Sequence, residues 1–230
     1  MYRVILLDDG DAKLGSFMKG LQHCYRRHNA QSAAALTSLA PDGTRTILIE
    51  DEDGRPVGGT RVQPRLPSRP LPFETVLTKL LDAQALAFLH TATMPVAEAC
   101  ALWRVETAKQ AGIAQLLVQV AVALARSMKV KTLFGFTHQY LAPSLRPCGF
   151  LPVEGLAPLP YPDARYTSQV YVAAPMDLSG LGAEARTEIQ IATSQLAQER
   201  RCMHAYRTSI EQAAPYALTL SIGMKKGTKS

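Results

Sequence analysis

The stretch that decides the fold is residues 97–125, AEACALWRVETAKQAGIAQLLVQVAVALA. Its first part, Ala97 to Val105, is apolar enough to predict a central β-strand. From Ile113 onward the apolar residues recur in steps of three and one, which places them on one face of an α-helix. This face consists of Ile113, Leu116, Leu117, Val120, Ala121, Leu124, Ala125 and Met128. A strand, a glycine-containing turn and an amphipathic helix in this order predict an α/β protein.

The flanking sequence continues the alternation of strands and helices. Short apolar runs predict further strands, which are Tyr2–Leu7, Arg45–Asp51, Pro56–Val62, Thr132–Thr137, Phe150–Val153 and Ser168–Ala173. Asp53-Gly54 predicts a hairpin turn between the predicted strands Arg45–Asp51 and Pro56–Val62. Apolar stripes predict helices from Leu14 to His28, from Phe73 to Phe88 with only Gln84 breaking the stripe, and from about Ala183 to Ile210, with a short helix at Pro143–Arg146. We therefore predict a mixed sheet flanked by helices, formed by residues 1–178, and a C-terminal helix with a basic tail at 179–230.

Composition excludes several classes of protein. The chain has 230 residues, of which 47% are hydrophobic and 19% are charged, which is typical of a globular protein and not of a disordered one. Its net charge of +6 permits an acidic partner but selects none. The four cysteines lie far apart without a C-x-x-C pair, which favours a reducing compartment with no metal and no disulfide framework.

Neither a membrane nor a nucleic acid is indicated as a partner. No run approaches the roughly 18 apolar residues needed to span a bilayer, and the N-terminus lacks the apolar core of a signal peptide. Arg200-Arg201 has no interleaved aromatic residues and no recognisable nucleic-acid-binding motif around it. We therefore predict a cytoplasmic protein.

The turn Lys109–Ala114, KQAGIA, is a candidate anion site. Small residues at a helix N-terminus let backbone N–H groups approach an anion closely, and the helix dipole favours negative charge there. The pyrophosphate of coenzyme A suits such a place. The alternative is that Gly112 merely begins a helix packed on a sheet.

The same turn resembles the Q/R-x-x-G-x-G/A motif of the GNAT superfamily of N-acetyltransferases. Gly112 and Ala114 fit the motif, and Lys109 stands where Arg or Gln is usual. The strand Lys131–His138 and the later Cys148-Gly149-Phe150 resemble the continuation of that family, so that the resemblance covers roughly residues 1–175. It implies a GNAT-like sheet with an additional C-terminal helix, and acyl-CoA or acyl-phosphopantetheine as co-substrate. The residues that it implies for binding this co-substrate are Trp103, Arg104, Val105, Lys109, Gln110, Ala111, Gly112, Ile113 and Ala114.

A narrower resemblance concerns Gly58, Arg61-Val62 and Pro64, followed by a Pro-rich link. These residues are similar to the G-x-x-R-[LV]-x-P region of acyl-homoserine-lactone synthases and the related N-acyl amino acid synthases. That branch usually carries Glu-x-x-Arg on the strand before the thioester site, and here Arg104 takes the Arg position while Ala101 stands in place of the Glu. The resemblance implies transfer of an acyl group from an acyl carrier protein or coenzyme A to the amine of a small amino-acid-like acceptor.

Glu106 and His138 are candidate catalytic bases. An amine nucleophile must lose a proton, and these residues follow two strands whose carboxyl ends are expected to open a crevice. The alternatives are a surface ion pair for Glu106 and a helix cap for His138. Tyr140 is a candidate acid for the leaving thiolate, since Leu145 stands where many GNAT enzymes have a tyrosine. Alternatively, the thiolate leaves without a dedicated acid.

Further expectations concern the acceptor, the oxyanion and the C-terminal helix. Arg61 and Arg104 are candidates for binding an acceptor carboxylate, with a structural ion pair as the alternative. Backbone N–H groups near Val105 are expected to stabilise the oxyanion. The stripe of the C-terminal helix is expected to dock on its own domain or on a second copy of the chain.

Three functions remain open at this point. The chain is predicted to be an N-acyltransferase with a small amine acceptor. The alternatives are a simple acetyl-CoA-dependent acetyltransferase and a non-catalytic module that binds an acyl thioester or a protein.

Overall fold

A computed structural model describes residues 2–7, 10–33, 43–81, 86–106, 112–209 and 218–222, with side chains up to residue 198. Lys109, Gln110 and Ala111 of the predicted anion site lie outside the described residues, as do Gln84 and Ile210.

The described residues form a single mixed sheet of eight strands. The strands are β1 (Tyr2–Leu7), β2 (Arg45–Glu50), β3 (Pro56–Pro64), β4 (Val96–Arg104), β5 (Thr132–His138), β6 (Leu151–Pro152), β7 (Ser168–Ala173) and β8 (Leu218–Ile222). Their order is β6-β7-β5-β4-β3-β2-β1-β8. β4 and β5 are parallel, and the other neighbouring strands are antiparallel. The predicted mixed sheet is confirmed.

Helices cover both faces of this sheet. They are α1 (Leu14–Arg27), α2 (Pro72–Leu80), α3 (Phe88–Thr91), α4 (Ile113–Ser127), α5 (Ala142–Leu145) and α6 (Ala183–Ser209). Phe17 and Leu21 of α1 are buried with Leu48 on one face. Leu117 and Val120 of α4 are buried in the cluster on the opposite face. This α/β arrangement follows from burying one apolar stripe per helix against an apolar sheet.

The close approach of α1 to the sheet depends on two glycines around Trp103. A Cβ atom on Gly20 would stand 2.2 Å from the Trp103 ring, and one on Gly59 would stand 2.7 Å from the Phe17 ring. The indole of Trp103 therefore occupies space that side chains at these positions would fill, and Trp103 is only 2% exposed. This packing fixes the end of β4 beneath α1.

The C-terminal helix docks on its own domain. Ile189, Ala192 and Leu196 are buried in the same cluster as α4. Gln119 of α4 also donates a hydrogen bond from Nε2 to Glu188 of α6, at 2.6 Å. These three residues of α6 therefore pack on their own domain.

The structure differs from the sequence-based expectation at two points. The single helix predicted from Phe73 to Phe88 is wrong, because α2 ends at Leu80 and Leu81 is extended, with φ −125° and ψ 157°. Phe73, Leu81 and Phe88 nevertheless pack on one cluster, so the apolar spacing reports shared burial and not a continuous helix. The strand β8, which pairs with β1, was not predicted.

Candidate active site

The parallel strands β4 and β5 separate halfway along their length. They pair only from Val96 with Thr132 to Ala99 with Gly135, although both strands continue beyond these residues. Ala101 has a φ of +53°, and the register between β3 and β4 shifts beside it. An irregularity of this kind bends a strand and increases its local twist. The bend accompanies an opening between the carboxyl-terminal parts of β4 and β5.

Backbone amides of β4 face this opening. The N–H of Val105 donates to the carbonyl of Val57 at 2.9 Å, on the β3 side. Because successive residues of a strand direct their amides to opposite edges, the amides of Leu102 and Arg104 are directed away from β3, toward the opening. Burial raises the pKa of the Cys24 thiol, and a hydrogen bond from the Arg104 amide partly opposes this, so the Arg104 amide already has a partner on α1. The Val105 amide itself is used within the sheet, and the expectation that N–H groups near Val105 stabilise an oxyanion stays a prediction.

A cleft of about 710 Å³ lies between the second half of α1, the end of β4 and the turn after β5. Its basic side chains are Lys19, His23, Arg27, His28 and Arg104. Glu106 is the acidic side chain on this wall, and it forms an ion pair with Arg27. Cations outnumber the acidic groups among the described lining residues, so the cleft favours a negatively charged ligand.

An inner cavity of about 60 Å³ continues into the opening between β4 and β5. Leu102 and Leu141 line both the cleft and the inner cavity, which places the two spaces side by side. The walls of the inner cavity are largely small or apolar, and they include Ala99, Ala114, Ala121, Gly135, Leu145 and Phe150. The half-buried Tyr25 of α1 also lines it.

The N-terminus of α4 lies beside the inner cavity. Gly112 caps this helix with a φ of +69°, a conformation that glycine adopts without strain. Ala114, in the first turn, lines the cavity. The first amides of a helix have no partner within the helix. A role of the Gly112, Ile113 and Ala114 amides in binding an anion next to the opening stays a prediction.

The predicted bases Glu106 and His138 both have structural contacts. Glu106, whose side chain is 69% exposed, pairs with Arg27. Nδ1 of His138 accepts a hydrogen bond from the backbone N–H of Tyr140 at 3.1 Å, which caps the 3-10 turn Gln139–Leu141. These contacts correspond to the ion pair and the cap that the sequence left open as alternatives. The catalytic roles of both residues stay predictions.

Tyr140 lines the cleft, as expected of a group that contacts the leaving thiolate. Although 58% of the residue is exposed, desolvation raises the pKa of its hydroxyl above the ordinary value, and the nearby Arg104 partly opposes this. Tyr140 is therefore protonated at neutral pH, the state that an acid requires.

The structure separates the two candidate arginines. Arg61 is 3% exposed beneath α1, where Nε donates to Thr46 Oγ1 at 3.2 Å and the guanidinium lies 4.8 Å from the centre of the Phe17 ring. It does not line the cleft or the inner cavity, whereas Arg104 lines the cleft. A role for Arg61 in direct acceptor binding stays a prediction, and the position of Arg104 suits that role better.

Glu98, which the sequence analysis did not single out, is a buried carboxyl group behind the opening. It is 3% exposed, and one oxygen accepts the backbone N–H of Phe73 at 3.0 Å. Burial raises the pKa of Glu98 to about 8. A carboxylate inside an apolar strand was the sequence signal that could have found it.

Glu98 contributes to the raised pKa values of Tyr161 and of Cys100, a residue on the wall of the inner cavity. Burial, reinforced by Glu98, raises the pKa of Tyr161 to about 12. Burial is also the main cause of the raised pKa of Tyr25, and Tyr161 raises this pKa further by a smaller amount. Glu98 likewise adds to the raised pKa of Cys100, after burial, and Cys100 lines the cavity. The carboxyl group of Glu98 is thus electrostatically coupled to residues on the cavity wall.

The described part of the chain contains no group of three or more His, Cys, Asp or Glu side chains that could hold a metal ion. Within the same residues, no helix has both the length and the apolarity needed to cross a membrane.

Comparison with solved structures identifies the architecture. An N-acyl amino acid synthase, FeeM, from uncultured soil microbes superimposes with a TM-score of 0.62, at 12% identity over 81% of this chain and 98% of that chain. The CoA-dependent acyl-homoserine lactone synthase MesI gives a TM-score of 0.52, at 16% identity over 83% of this chain and 95% of that chain. The chain has the GNAT fold. The GNAT-like sheet that the sequence resemblance implied is therefore confirmed as a fold.

Sequence comparison adds no closer relationship. No family model matches the chain, and no curated protein matches it. At the identities above, the likeness to solved structures establishes the GNAT fold alone.

Proposed function

We propose that the protein is an N-acyltransferase. It would transfer an acyl group from an acyl thioester, carried by coenzyme A or by an acyl carrier protein, to the amine of a small amino-acid-like acceptor. The observation that carries this proposal is the opening between β4 and β5, which the amides of Leu102 and Arg104 face and beside which the N-terminus of α4 lies.

The donor side of the proposal rests on backbone donors. The phosphates of the donor would bind the first amides of α4, from Gly112 to Ala114. The thioester carbonyl would then lie at the opening. The amide of Leu102 would stabilise the negative charge that develops on its oxygen, because a fixed donor needs no reorganisation during the reaction.

The chemical step requires that the amine lose a proton. The amine nitrogen attacks the carbonyl carbon, the C–N bond forms, and the C–S bond breaks to release a thiolate. Glu98, with a pKa of about 8, holds a proton in most molecules at neutral pH and would accept one only as the pH rises through about 8, so Glu106 and His138 stay the alternative bases at the site. Tyr140 is the candidate donor of a proton to the thiolate.

The acceptor side of the proposal rests on charge. Arg104 is half-buried at the end of β4, and no carboxylate of the described residues pairs with its guanidinium. A guanidinium fork binds a carboxylate with two parallel hydrogen bonds. An acceptor that carries both an amine and a carboxylate would therefore fit the cleft better than a simple amine.

The test is release of free thiol from acyl-CoA and acyl carrier protein in the presence of an amine panel. The panel contains amino acids, S-adenosylmethionine and the decarboxylated amine that matches each amino acid. We expect release with at least one acceptor, and faster release with the acid than with its decarboxylated partner. Glu98→Gln should slow release by about a hundredfold or more. A similar loss in Glu106→Ala or His138→Ala, with Glu98→Gln unaffected, would transfer the role of base to that residue.

A non-catalytic thioester-binding module is the second candidate. It is favoured by the structural contacts of both Glu106 and His138. Binding of acyl-CoA without thiol release for any donor and acceptor would support this module and refute the transferase.

A further inference from the structure

We infer that the hydroxyl group of Tyr25, on α1, donates a hydrogen bond to the thioester carbonyl oxygen, beside the backbone N–H of Leu102. This inference rests on the proposed function, since it assumes that a thioester occupies the opening between β4 and β5. It places Tyr25 in contact with the reacting atoms and gives the oxyanion a side-chain donor from outside the sheet.

The backbone of β4 leaves a place for a second donor. The amides of Leu102 and Arg104 are both directed away from β3, but the Arg104 amide already has a partner in Cys24 of α1. The Leu102 amide then remains as the backbone donor beside the opening. Oxyanion sites in acyl transfer combine backbone N–H groups with side-chain donors, and tyrosine is one of these donors.

Tyr25 reaches the opening from the second half of α1. It lines the inner cavity together with Leu102 and Cys100. After burial, the neighbouring groups that raise the pKa of Tyr25 include Cys24, Cys100 and Tyr140, so its phenolic oxygen lies near these side chains. Cys24 and Tyr140 line the cleft, whereas Cys100 lines the inner cavity. The hydroxyl therefore lies where the two spaces adjoin, and Leu102 lines both of them.

The hydroxyl of Tyr25 is available as a donor. Among the described residues it takes part in no hydrogen bond. Burial is the main cause of its raised pKa, so the group keeps its proton at neutral pH. The residue is half-buried, and a hydroxyl that is partly removed from water gains more from a bound carbonyl oxygen than a fully hydrated one.

The helix α1 is attached to the rest of the domain on both sides of Tyr25. Before it in the chain, Gly20 packs closely on the Trp103 ring of β4. After it, the hydroxyl of Tyr166 donates to the backbone carbonyl of His28, just beyond the end of α1. A donor that is fixed in this way needs no reorganisation when charge develops on the carbonyl oxygen.

The hydrogen bond strengthens as the amine attacks the carbonyl carbon. The C–N bond forms, and the electron pair of the C=O double bond moves to the oxygen, which becomes negatively charged. The proton of Tyr25 stays on its own oxygen and stabilises this charge. When the C=O double bond re-forms, the C–S bond breaks and the thiolate leaves, so that Tyr25 ends the cycle unchanged.

The first measurement is infrared spectroscopy of the full chain with octanoyl-CoA and with octanoyl-acyl carrier protein, without acceptor. Each donor is isotopically labelled at the thioester carbonyl carbon, because a hydrogen bond lowers the stretching frequency of that carbonyl. We expect Tyr25→Phe, which removes only the hydroxyl, to raise the frequency of the bound donor. Replacement of Tyr25 by a fluorinated tyrosine, a stronger hydrogen-bond donor of similar shape, should lower it further.

Two other tyrosines provide the controls. Tyr140→Phe should leave the carbonyl frequency unchanged, since Tyr140 is the candidate acid for the thiolate and not for the carbonyl. Tyr2→Phe removes a hydroxyl from β1, which is separated from β4 by β2 and β3 in the sheet. It should reproduce the wild-type protein in this measurement and in turnover.

The second measurement is thiol release at saturating donor and acceptor. Tyr25→Phe should lower kcat by about a hundredfold to a thousandfold, as the loss of one oxyanion donor does in other acyl transfers. The KM for the donor should change little, because the hydrogen bond acts mainly in the transition state.

Two outcomes would overturn the inference. The first is a carbonyl frequency that Tyr25→Phe does not move although the labelled donor binds; together with a lowered kcat, it would place the hydroxyl at the leaving thiolate. The second is an unchanged kcat in Tyr25→Phe. Either outcome with normal thiol release by the wild-type protein leaves the transferase intact.

The opposite pattern separates the two proposals in the other direction. A carbonyl frequency that depends on Tyr25, in a protein that releases no thiol with any acceptor, would refute the transferase and support the contact of Tyr25 with the thioester. Failure of both labelled donors to bind would refute both proposals.

Discussion

Glu98 should make the stability of the folded protein depend on pH. Burial raises its pKa from 4.5 to about 8 in the folded state. Between these values the folded chain holds a proton that the unfolded chain releases. Its contribution to stability is therefore fully present below about pH 4.5 and is lost as the pH rises through about 8. At about 1.4 kcal/mol per pKa unit, the complete loss is roughly 5 kcal/mol.

Glu98→Gln removes the titrating group and preserves its shape. The amide oxygen of Gln can still accept the backbone N–H of Phe73, so the hydrogen bond at this position is kept. We expect the difference in free energy of unfolding, variant minus wild type, to increase by about 1.4 kcal/mol per pH unit from pH 5 to 8 and to level off above that. Urea unfolding of both proteins at half-unit intervals from pH 5 to 9 measures this difference.

The pH dependence of this difference in free energy of unfolding tests the raised pKa of Glu98. A difference that stays constant from pH 5 to 9 would show that Glu98 titrates alike in the folded and unfolded chains. It would refute the raised pKa of Glu98.

Three further predictions concern packing, the acceptor and the donor. Gly20→Ala should lower the free energy of unfolding by about 1–3 kcal/mol in urea titrations, because its methyl group would stand 2.2 Å from the Trp103 ring. Gly15→Ala is the control and should be neutral or stabilising, because a methyl group there meets open space. Equal changes in the free energy of unfolding for the two variants would contradict the packing of Trp103 against Gly20. Arg104→Gln should raise the KM for a carboxylate-bearing acceptor about tenfold or more, with little change for the decarboxylated amine; a uniform change would remove Arg104 from acceptor recognition. Gly112→Asp should abolish measurable binding of coenzyme A in calorimetry, since it adds a negative charge at the proposed phosphate site; unchanged affinity would exclude the N-terminus of α4.

The sequence by itself determined the elements and the class of fold. The stripe from Ile113 to Met128 predicted α4, and the hairpin at Asp53-Gly54 predicted the pairing of β2 with β3, which the structure confirms. These features are local, since the spacing of apolar residues and the turn preferences act within a few residues of the chain. The resemblance to the GNAT superfamily then implied a GNAT-like sheet, while the order of its strands came from the structure.

Only the tertiary structure decided the details of the candidate site. The separation of β4 and β5 accompanies a bulge near Ala101, where the pairing with β3 changes register, and residues distant in sequence set this register. The same pairing occupies the Val105 amide with Val57, on the β3 side, so that among the amides near Val105 the one of Leu102 is the expected oxyanion donor.

The positions of the charged residues were likewise a tertiary result. Arg61 and Arg104 both lie on predicted strands, so the sequence does not distinguish them. In the structure, Arg61 is buried beneath α1, whereas Arg104 lines the cleft. Glu98 acquires its raised pKa from the side chains of α2 and neighbouring strands that bury it. Whether a charged side chain meets solvent, a partner or an apolar wall depends on which elements pack over it, and local sequence spacing does not contain that information.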